Sequence, residues 1–550
     1  MRTIILLGVI LVLAAALRLV DLRQCPPGST DDESLEIWNA YCLLHTGQDL
    51  HGTSFPIFYT RGFGDNVPAV FMYLLAPFQA LLGLSVWSAR VATAVLGVIA
   101  VLLIYLIGKS LFGRTAGLLA SAMLATNPWH VFLSRHAHQA NPFFLFVAIA
   151  ALLWANLPFQ DIQNRPARPI RAGLAGAVVG LACYGYGYHR VFLPVFLFLA
   201  VLATWRGWWG LLRTRKGALS VIAMVLGVVV TLGPLAWRHV TDFSNIYKRA
   251  GSQQLWKSSD PLGENIQKVW SRYLPHFGLD FLFVKGEGKP LSHARDLPDL
   301  GQFDWYMLPL MILGLAAALL KIKSYAARFL LVWVILYPVA DLLYVHDGVN
   351  MLRSVPGIPA LILLAAFGAV SAGTWLWRLN RRAFLGAACA AGVGMAACNV
   401  YFVEKFFFEY DRRPEYHQAF RNELVEAFEW LRPRLNDVDA VFCSPYGWGG
   451  APQVYAISLV ALQYDPHQWF REPREFRYNY IGIYDICLGY GKIHFMYEPF
   501  WRAAFEELQQ NGRRDRVVFI VPPGTVPFAP VKEVRRPNGE VVLWICQVDL

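Results

Sequence analysis

The residues readiest for chemistry lie just after the first apolar run, in Pro26-Pro27-Gly28-Ser29-Thr30-Asp31-Asp32-Glu33-Ser34. Three adjacent carboxylates beside such a run admit two readings. Thr30 or Asp31 can cap a helix running through Leu35, Trp38, Ala40 and Leu43, whose first turn favours acids. Equally, one carboxylate can be a general base that takes a proton from an acceptor hydroxyl. Three more clusters carry cationic and aromatic groups: Ser134-Arg135-His136-Ala137-His138-Gln139, Tyr184 to Arg190, and His346-Asp347 through Arg353. Arg, Tyr and His anchor routinely at membrane interfaces. Guanidinium groups converging on one face also suit an anionic headgroup, because their planar fork binds phosphate oxygens. His136 and His138 stand at i and i+2, which share no helix face, so they alone do not make a zinc site.

The elements that must position these groups are membrane spans. The chain has 550 residues, of which 56% are hydrophobic and 16% charged, against about a quarter charged in soluble domains. Its mean hydropathy is +0.38, and its apolar residues gather in runs of about 17 to 24, enough to cross a bilayer. The net charge of +11 sits mainly in short connections between those runs, which is topogenic charge and not a nucleic-acid groove.

Candidate spans are 3–20, 86–108, 115–133, 141–157, 172–187, 190–205, 218–237, 304–320, 328–345, 355–377 and 383–403, with 67–83 ambiguous. Lys109/Arg114, Arg165/Arg168/Arg171, Arg206 to Lys216, Lys321/Lys323/Arg328 and Arg378/Arg381/Arg382 fall on Arg2's side only if 67–83 does not cross. The positive-inside rule and Pro68 and Pro77 therefore make 67–83 an interfacial or re-entrant segment and leave about eleven spans. Arg18 and the many later spans argue that the first run is retained and not cleaved. The N-terminus is then cytoplasmic in a multi-pass plasma (inner) membrane protein. The loop 21–85, the larger loop 238–303 and the tail 404–550 face outward, to a periplasm or the cell exterior.

The expected fold is thus a polytopic α-helical bundle over 1–403 with a small external α/β domain over 404–550. In that domain, helix-like runs cover Tyr416 to Leu431 and Phe500 to Gln510. Val531–Arg535 and Glu540–Cys546 pair as a hairpin around Pro537-Asn538-Gly539. Of eight cysteines, Cys25 and Cys42 share one loop and could pair.

Several motifs together resemble the protein-mannosyltransferase-like (family 39) glycosyltransferases of the GT-C fold, relatives of the lipid A aminoarabinose transferases. They are Asp32-Glu33, Gly47-Gln48-Asp49, His51-Gly52 and Pro56, then Trp87-Ser88-Ala89-Arg90, Asn127-Pro128-Trp129-His130 with Ser134-Arg135, and Tyr186 to Pro194. Phe281-Leu282-Phe283 with Gly286, Gly301-Gln302, and Leu352-Arg353 before Pro356 and Pro359 complete the set, which spans most of 1–370. The resemblance implies inverting transfer of a sugar from a polyprenyl phosphate to a hydroxyl of a glycan, lipid or protein. It makes Asp32 the base, with Glu33 assisting or positioning. Arg135, His189, Arg190 and Arg353, with Asp31 and His138, become the groups that bind lipid phosphate or sugar. Relatives often carry an acid in the second outer loop, but Ser134 to Pro142 has none, which disfavours a metal bridge. The resemblance fixes no cofactor and leaves a divalent metal open but disfavoured. The alternatives are a lipid-linked oligosaccharide ligase or polymerase, and a transporter or flippase of lipid-linked saccharides, which would need charge near the bilayer midplane.

Overall fold

The computed structural model describes residues 1–63, 65–160, 168–242, 254–287, 300–343, 348–445, 453–478, 485–495, 502, 505–506 and 516–549. The chain begins with α1 (Arg2–Leu19) and α2 (Asp31–Thr46), followed by a hairpin of β1 (Tyr59–Gly62) and β2 (Asp65–Pro68). Then come α3 (Val70–Leu82), α4 (Val86–Phe112), α5 (Arg114–Thr126), α6 (Pro128–Ser134), α7 (Phe143–Trp154), α8 (Pro169–Ala182), α9 (Gly187–Ala203), α10 (Trp205–Leu212) and α11 (Arg215–Thr241). The bundle ends with α12 (Leu262–Tyr273), α13 (Met307–Leu320), α14 (Tyr325–Leu336), α15 (Gly357–Leu379) and α16 (Arg381–Val403).

Among the described residues, six helical segments are long and apolar enough to cross a membrane: Arg2–Leu19, Val86–Phe112, Arg215–Thr241, Tyr325–Leu343, Gly357–Leu379 and Arg381–Arg412. The pair α9 and α10, bent by 79°, adds a seventh if it is one span. Helices stand on every expected segment, yet length and composition do not carry the count to eleven. Helices α7, α8 and α13 have 12, 14 and 14 residues, short of the roughly 20 a perpendicular crossing needs. The segment expected at 115–133 is broken, because Pro128 has no N–H for the α5 ladder and Asn127 caps α6 by accepting the His130 N–H. Helix α3 has 13 residues and contains Pro77.

The break in the α5–α6 segment leaves carbonyls without helical partners, and two buried arginines satisfy the two helix ends reciprocally. Arg18 of α1 donates to the carbonyls of Ala125 (2.8 Å) and Leu124 (3.1 Å) and contacts His130 Nδ1 at 2.7 Å. Arg135, at the end of α6, donates to Leu17, Val20, Asp21 and Cys25 at the end of α1. Orphaned buried carbonyls cost about 1–3 kcal/mol each, so these crossings hold the two helix ends together.

The tail adds α17 (Pro414–Ala419), α18 (Asn422–Leu431), β3 (Ala440–Cys443), α19 (Val454–Ala461), α20 (Pro466–Arg471), β4 (Arg474–Tyr478), β5 (Asp485–Tyr490), β6 (Ile493–Phe495), β7 (Arg516–Val521), β8 (Lys532–Arg535) and β9 (Val541–Asp549). Among the described residues its strands are ordered β4-β5-β6-β3-β7-β9-β8, with β3 parallel to β6 and β7 and the other neighbours antiparallel. The β8–β9 hairpin pairs Val534 with Leu543, and Gly539 supplies a turn residue at φ +85°. The helix expected over 416–431 is split where Arg421 adopts φ +49°. Most of the run 500–510, together with Arg165 and His346-Asp347, lies outside the described residues.

The tail shares its core with the start of the chain. Trp38 of α2 meets Trp469 edge-on with centroids 6.3 Å apart. The Trp469 indole donates to the Leu50 carbonyl (2.9 Å), and Gln463 donates to that of Leu84 (3.0 Å). Helix α2 is therefore packed between α3 and α4 on one side and α19 and α20 on the other. Cys25 and Cys42 are both buried and unpaired.

Candidate functional site

Helix α2 starts where its sequence allows a cap. Thr30 is extended and its hydroxyl accepts the Glu33 N–H at 3.1 Å, so all three acids occupy the first turn, where the helix dipole favours them. Capping and function thus coexist, and the three carboxylates differ in surroundings.

Glu33 is wholly buried. Arg90 of α4 donates to both of its oxygens (2.9 and 2.8 Å), and the Ala137 N–H adds a third bond at 2.9 Å. Burial alone would raise this carboxyl, but the Arg90 charge and these hydrogen bonds outweigh it and hold Glu33 at about 2. His136 lies 3.8 Å away. Burial pulls His136 down to about 4 against the opposing influence of Glu33, so it is neutral near pH 7 and Arg90 is the charge that ionises Glu33. Arg90 also donates to the carbonyls of Pro26 and Gly28. Glu33 thus ties α2, α4 and the 135–140 segment together, which makes it a positioning group without an exposed surface.

Asp31 turns toward the tail, with Arg421 Nη2 at 3.4 Å from Oδ2. Burial raises its carboxyl, partly countered by Arg421. The same seam is closed by the Ser29 N–H, which donates to the Phe420 carbonyl at 2.6 Å. Gly28, at φ +57°, is required here because a Cβ would sit 2.3 Å from that carbonyl oxygen.

Asp32 is the member that faces out, with 46% of its side chain exposed. His138 Nε2 lies 3.8 Å from Oδ2. The Ala140 N–H donates to His138 Nδ1 at 3.0 Å, so the neutral ring carries its proton on Nε2, the nitrogen facing Asp32. The ring meets Tyr186 edge-on at 5.8 Å, and Tyr186 meets Tyr188 at 5.7 Å. This aromatic run carries the Asp32 side toward the start of α9.

There Arg190 is half-buried and donates to the Tyr59 hydroxyl at 2.9 Å, with its guanidinium 4.8 Å over the Tyr59 ring. His239 Nε2 lies 2.8 Å from the same hydroxyl. Arg353, also half-buried, stands on a separate support. Its N–H donates to Asn350 Oδ1 (3.1 Å), and the Asn350 N–H donates to the buried Asp341 (3.2 Å).

Two expected phosphate ligands are placed otherwise. All five Arg135 N–H donors go to backbone carbonyls of 17–25, and its guanidinium stacks near Phe406 and Phe407. Arg135 is therefore a helix-end clasp. His189 is fully buried, stacked on Tyr188 at 4.0 Å with Nδ1 3.1 Å from the Tyr186 carbonyl, so it underpins the loop instead of lining its surface. Arg90, Arg421, Tyr59 and His239 were given no role from sequence. Arg90 carried a signal, since it lies four residues into a span where an unpaired charge is untenable. Among the described residues no group of three or more His, Cys, Asp or Glu could hold a metal ion.

The architecture is that of the GT-C fold. Residues 66–237 match the family model for dolichyl-phosphate-mannose-protein mannosyltransferases. A solved relative, ArnT from Cupriavidus metallidurans in the apo state, superposes with a TM-score of 0.55 at 15% identity over 98% of this chain and 97% of its own. The oligosaccharyltransferase of Archaeoglobus fulgidus, tethered with an acceptor peptide, gives 0.51 at 13% identity over 83% of this chain and 63% of its own. In sequence, a dolichyl-phosphooligosaccharide-protein glycotransferase of Pyrococcus furiosus is 25% identical over 255 residues, 46% of this chain and 30% of the relative. The chain thus spans under a third of that curated relative's length. The likeness to GT-C glycosyltransferases read from the motifs holds at the level of family model and fold, and the chain carries the apolar helices of a multi-pass membrane protein.

Proposed function

We propose that the chain is a membrane glycosyltransferase that moves a sugar from a polyprenyl-phosphate donor to a hydroxyl acceptor on the non-cytoplasmic face. The observation that carries this is Asp32. It is the one half-exposed carboxylate in a triplet whose neighbours are engaged by Arg90 and Arg421, on a fold shared with ArnT, which has also been solved bound to undecaprenyl phosphate (TM-score 0.51, 15% identity). Asp32 accepts the acceptor's proton as the acceptor oxygen bonds to the anomeric carbon from the face opposite the phosphate, and the configuration inverts. The carbon–oxygen bond to phosphate breaks with its electron pair staying on the phosphate. That leaving group needs positive charge and no proton, for which Arg190 and Arg353 are the candidates.

Asp32→Asn tests the base. Transfer should fall by about 10²- to 10⁴-fold while binding of undecaprenyl phosphate persists. Full activity in that variant would sink the assignment. A second reading, transfer of an oligosaccharide from a lipid-linked donor, draws on the Pyrococcus furiosus relative. Supplying monosaccharide- and oligosaccharide-loaded polyprenyl carriers in parallel separates the two.

A further inference from the structure

The stretch from Ser134 to Pro142 offers no second acid, but α2 does, one turn beyond Asp32. Glu36 is 2% exposed, and among the described residues neither of its carboxyl oxygens has a hydrogen-bond partner. Asn39 follows at i+7 from Asp32, also buried, with its Oδ1 accepting the Leu50 N–H and its Nδ2 unpartnered. Residues 32, 36 and 39 share one face of α2, so a polar stripe descends from the exposed carboxylate into the packed interior. A buried carboxyl without a partner is costly whether it is charged or neutral. Such a group in a native interior calls for a reason.

We propose that Glu36 is the second carboxyl of the transfer site, a positioning residue that donates a hydrogen bond to Asp32 and orients its carboxylate toward the acceptor. This rests on the glycosyltransferase reading above. At i and i+4 the two Cβ atoms are about 5–6 Å apart, so a rotamer change suffices to join the side chains. Hydrogen bonds of this kind are often open before substrate binds. Burial first, and the Asp32 charge second, push Glu36 well above the usual carboxylate range, which keeps the proton it must donate. The elements packed on α2 bring Tyr73, Arg90, Tyr455, His467 and Arg471. Arg90 is committed to Glu33 and two carbonyls, and Asp32 is the charge that acts on Glu36. A neutral Glu36 also adds no second negative charge beside an anionic donor.

The test uses the full chain in detergent or nanodiscs and needs no substrate. Infrared difference spectra between wild type and Glu36→Gln should show a protonated-carboxyl band at neutral pH that the variant lacks. Asp32→Asn, which removes the like charge, should move the titration midpoint of that band to lower pH. Absence of the band, or a midpoint indifferent to Asp32→Asn, overturns the pairing, and neither outcome depends on whether sugar transfer is the activity. The role is read by kinetics with a polyprenyl-phosphate sugar. Glu36→Gln keeps a donor and should stay within a few-fold of wild type, whereas Glu36→Leu should lose about 10-fold or more in kcat with little change in KM. Equal kcat in Glu36→Leu and wild type overturns the role while leaving the Asp32 test untouched. If Glu36→Gln does not fold, Glu36→Leu supplies the reference spectrum, since Asp32 also raises Asp31 and the band must be assigned to Glu36.

Discussion

Two charged regions of this molecule look alike in sequence and behave oppositely in space. At the crossing of α1 with the α5–α6 break, Arg18 and Arg135 are buried, and the Arg18 Nη groups and all of the Arg135 donors go to backbone carbonyls and His130. At the head of α2, Glu33 is saturated in the same way by Arg90, yet its neighbour Asp32 keeps an open face. Charge near a membrane therefore has two uses here. It closes helix ends that the bundle leaves unsatisfied, or it stays open to solvent, as Asp32 does. Residue type does not separate the two, but burial does: the Glu33 side chain is fully buried and that of Asp32 is 46% exposed.

The sharpest way to break that comparison is Glu33→Gln, which leaves Arg90 buried without its counter-charge. It should cost about 3–5 kcal/mol and lower Tm markedly, whereas Asp32→Asn should leave Tm nearly unchanged while cutting transfer by about 10²- to 10⁴-fold. Arg135→Ala should follow, since it orphans carbonyls at the end of α1. The loss should be about 3 kcal/mol or more, read as reduced Tm and not as a change in KM. Arg190→Ala should raise the KM for a polyprenyl-phosphate donor about 10-fold or more, with a smaller loss of Tm than Arg135→Ala because, among the described residues, it gives up three hydrogen bonds where Arg135 gives up five. The pH dependence is the mildest effect. Glu33 falls from 4.5 to about 2 on folding, so its stabilisation is complete above pH 4.5 and is lost as pH drops toward 2. Melting curves between pH 6 and 3 should fall more steeply in wild type than in Glu33→Gln.

Much of this was legible in the chain itself. Apolar run length gave the helices, and Pro537-Asn538-Gly539 gave the β8–β9 turn. The order of weak motifs pointed to the fold that the solved relatives share. What local pattern could not show was partnership at long range. Arg135 and Arg190 look equally suited to phosphate, yet the meeting of α6 with the end of α1 turns the donors of the former onto backbone carbonyls, while the latter divides its donors between the Tyr59 hydroxyl and the carbonyls of Cys183 and Gly185. Helices stand on all the expected segments, but length and composition alone qualify six or seven of the described ones as spans, because helices such as α7 and α8 have only 12 to 14 residues. Glu36 was invisible because an acid within an amphipathic helix normally faces water.

The seam at Gly28 has a bearing on how the protein comes into being. Asp31 and Arg421 lie 390 residues apart, and Phe420 supplies the carbonyl that holds Ser29. Chains emerge from the ribosome N-terminus first, so α2 waits for nearly the whole polypeptide before its surroundings are complete. A product stalled before Phe420, Arg421 and Trp469 would carry Asp32 on an unfinished scaffold.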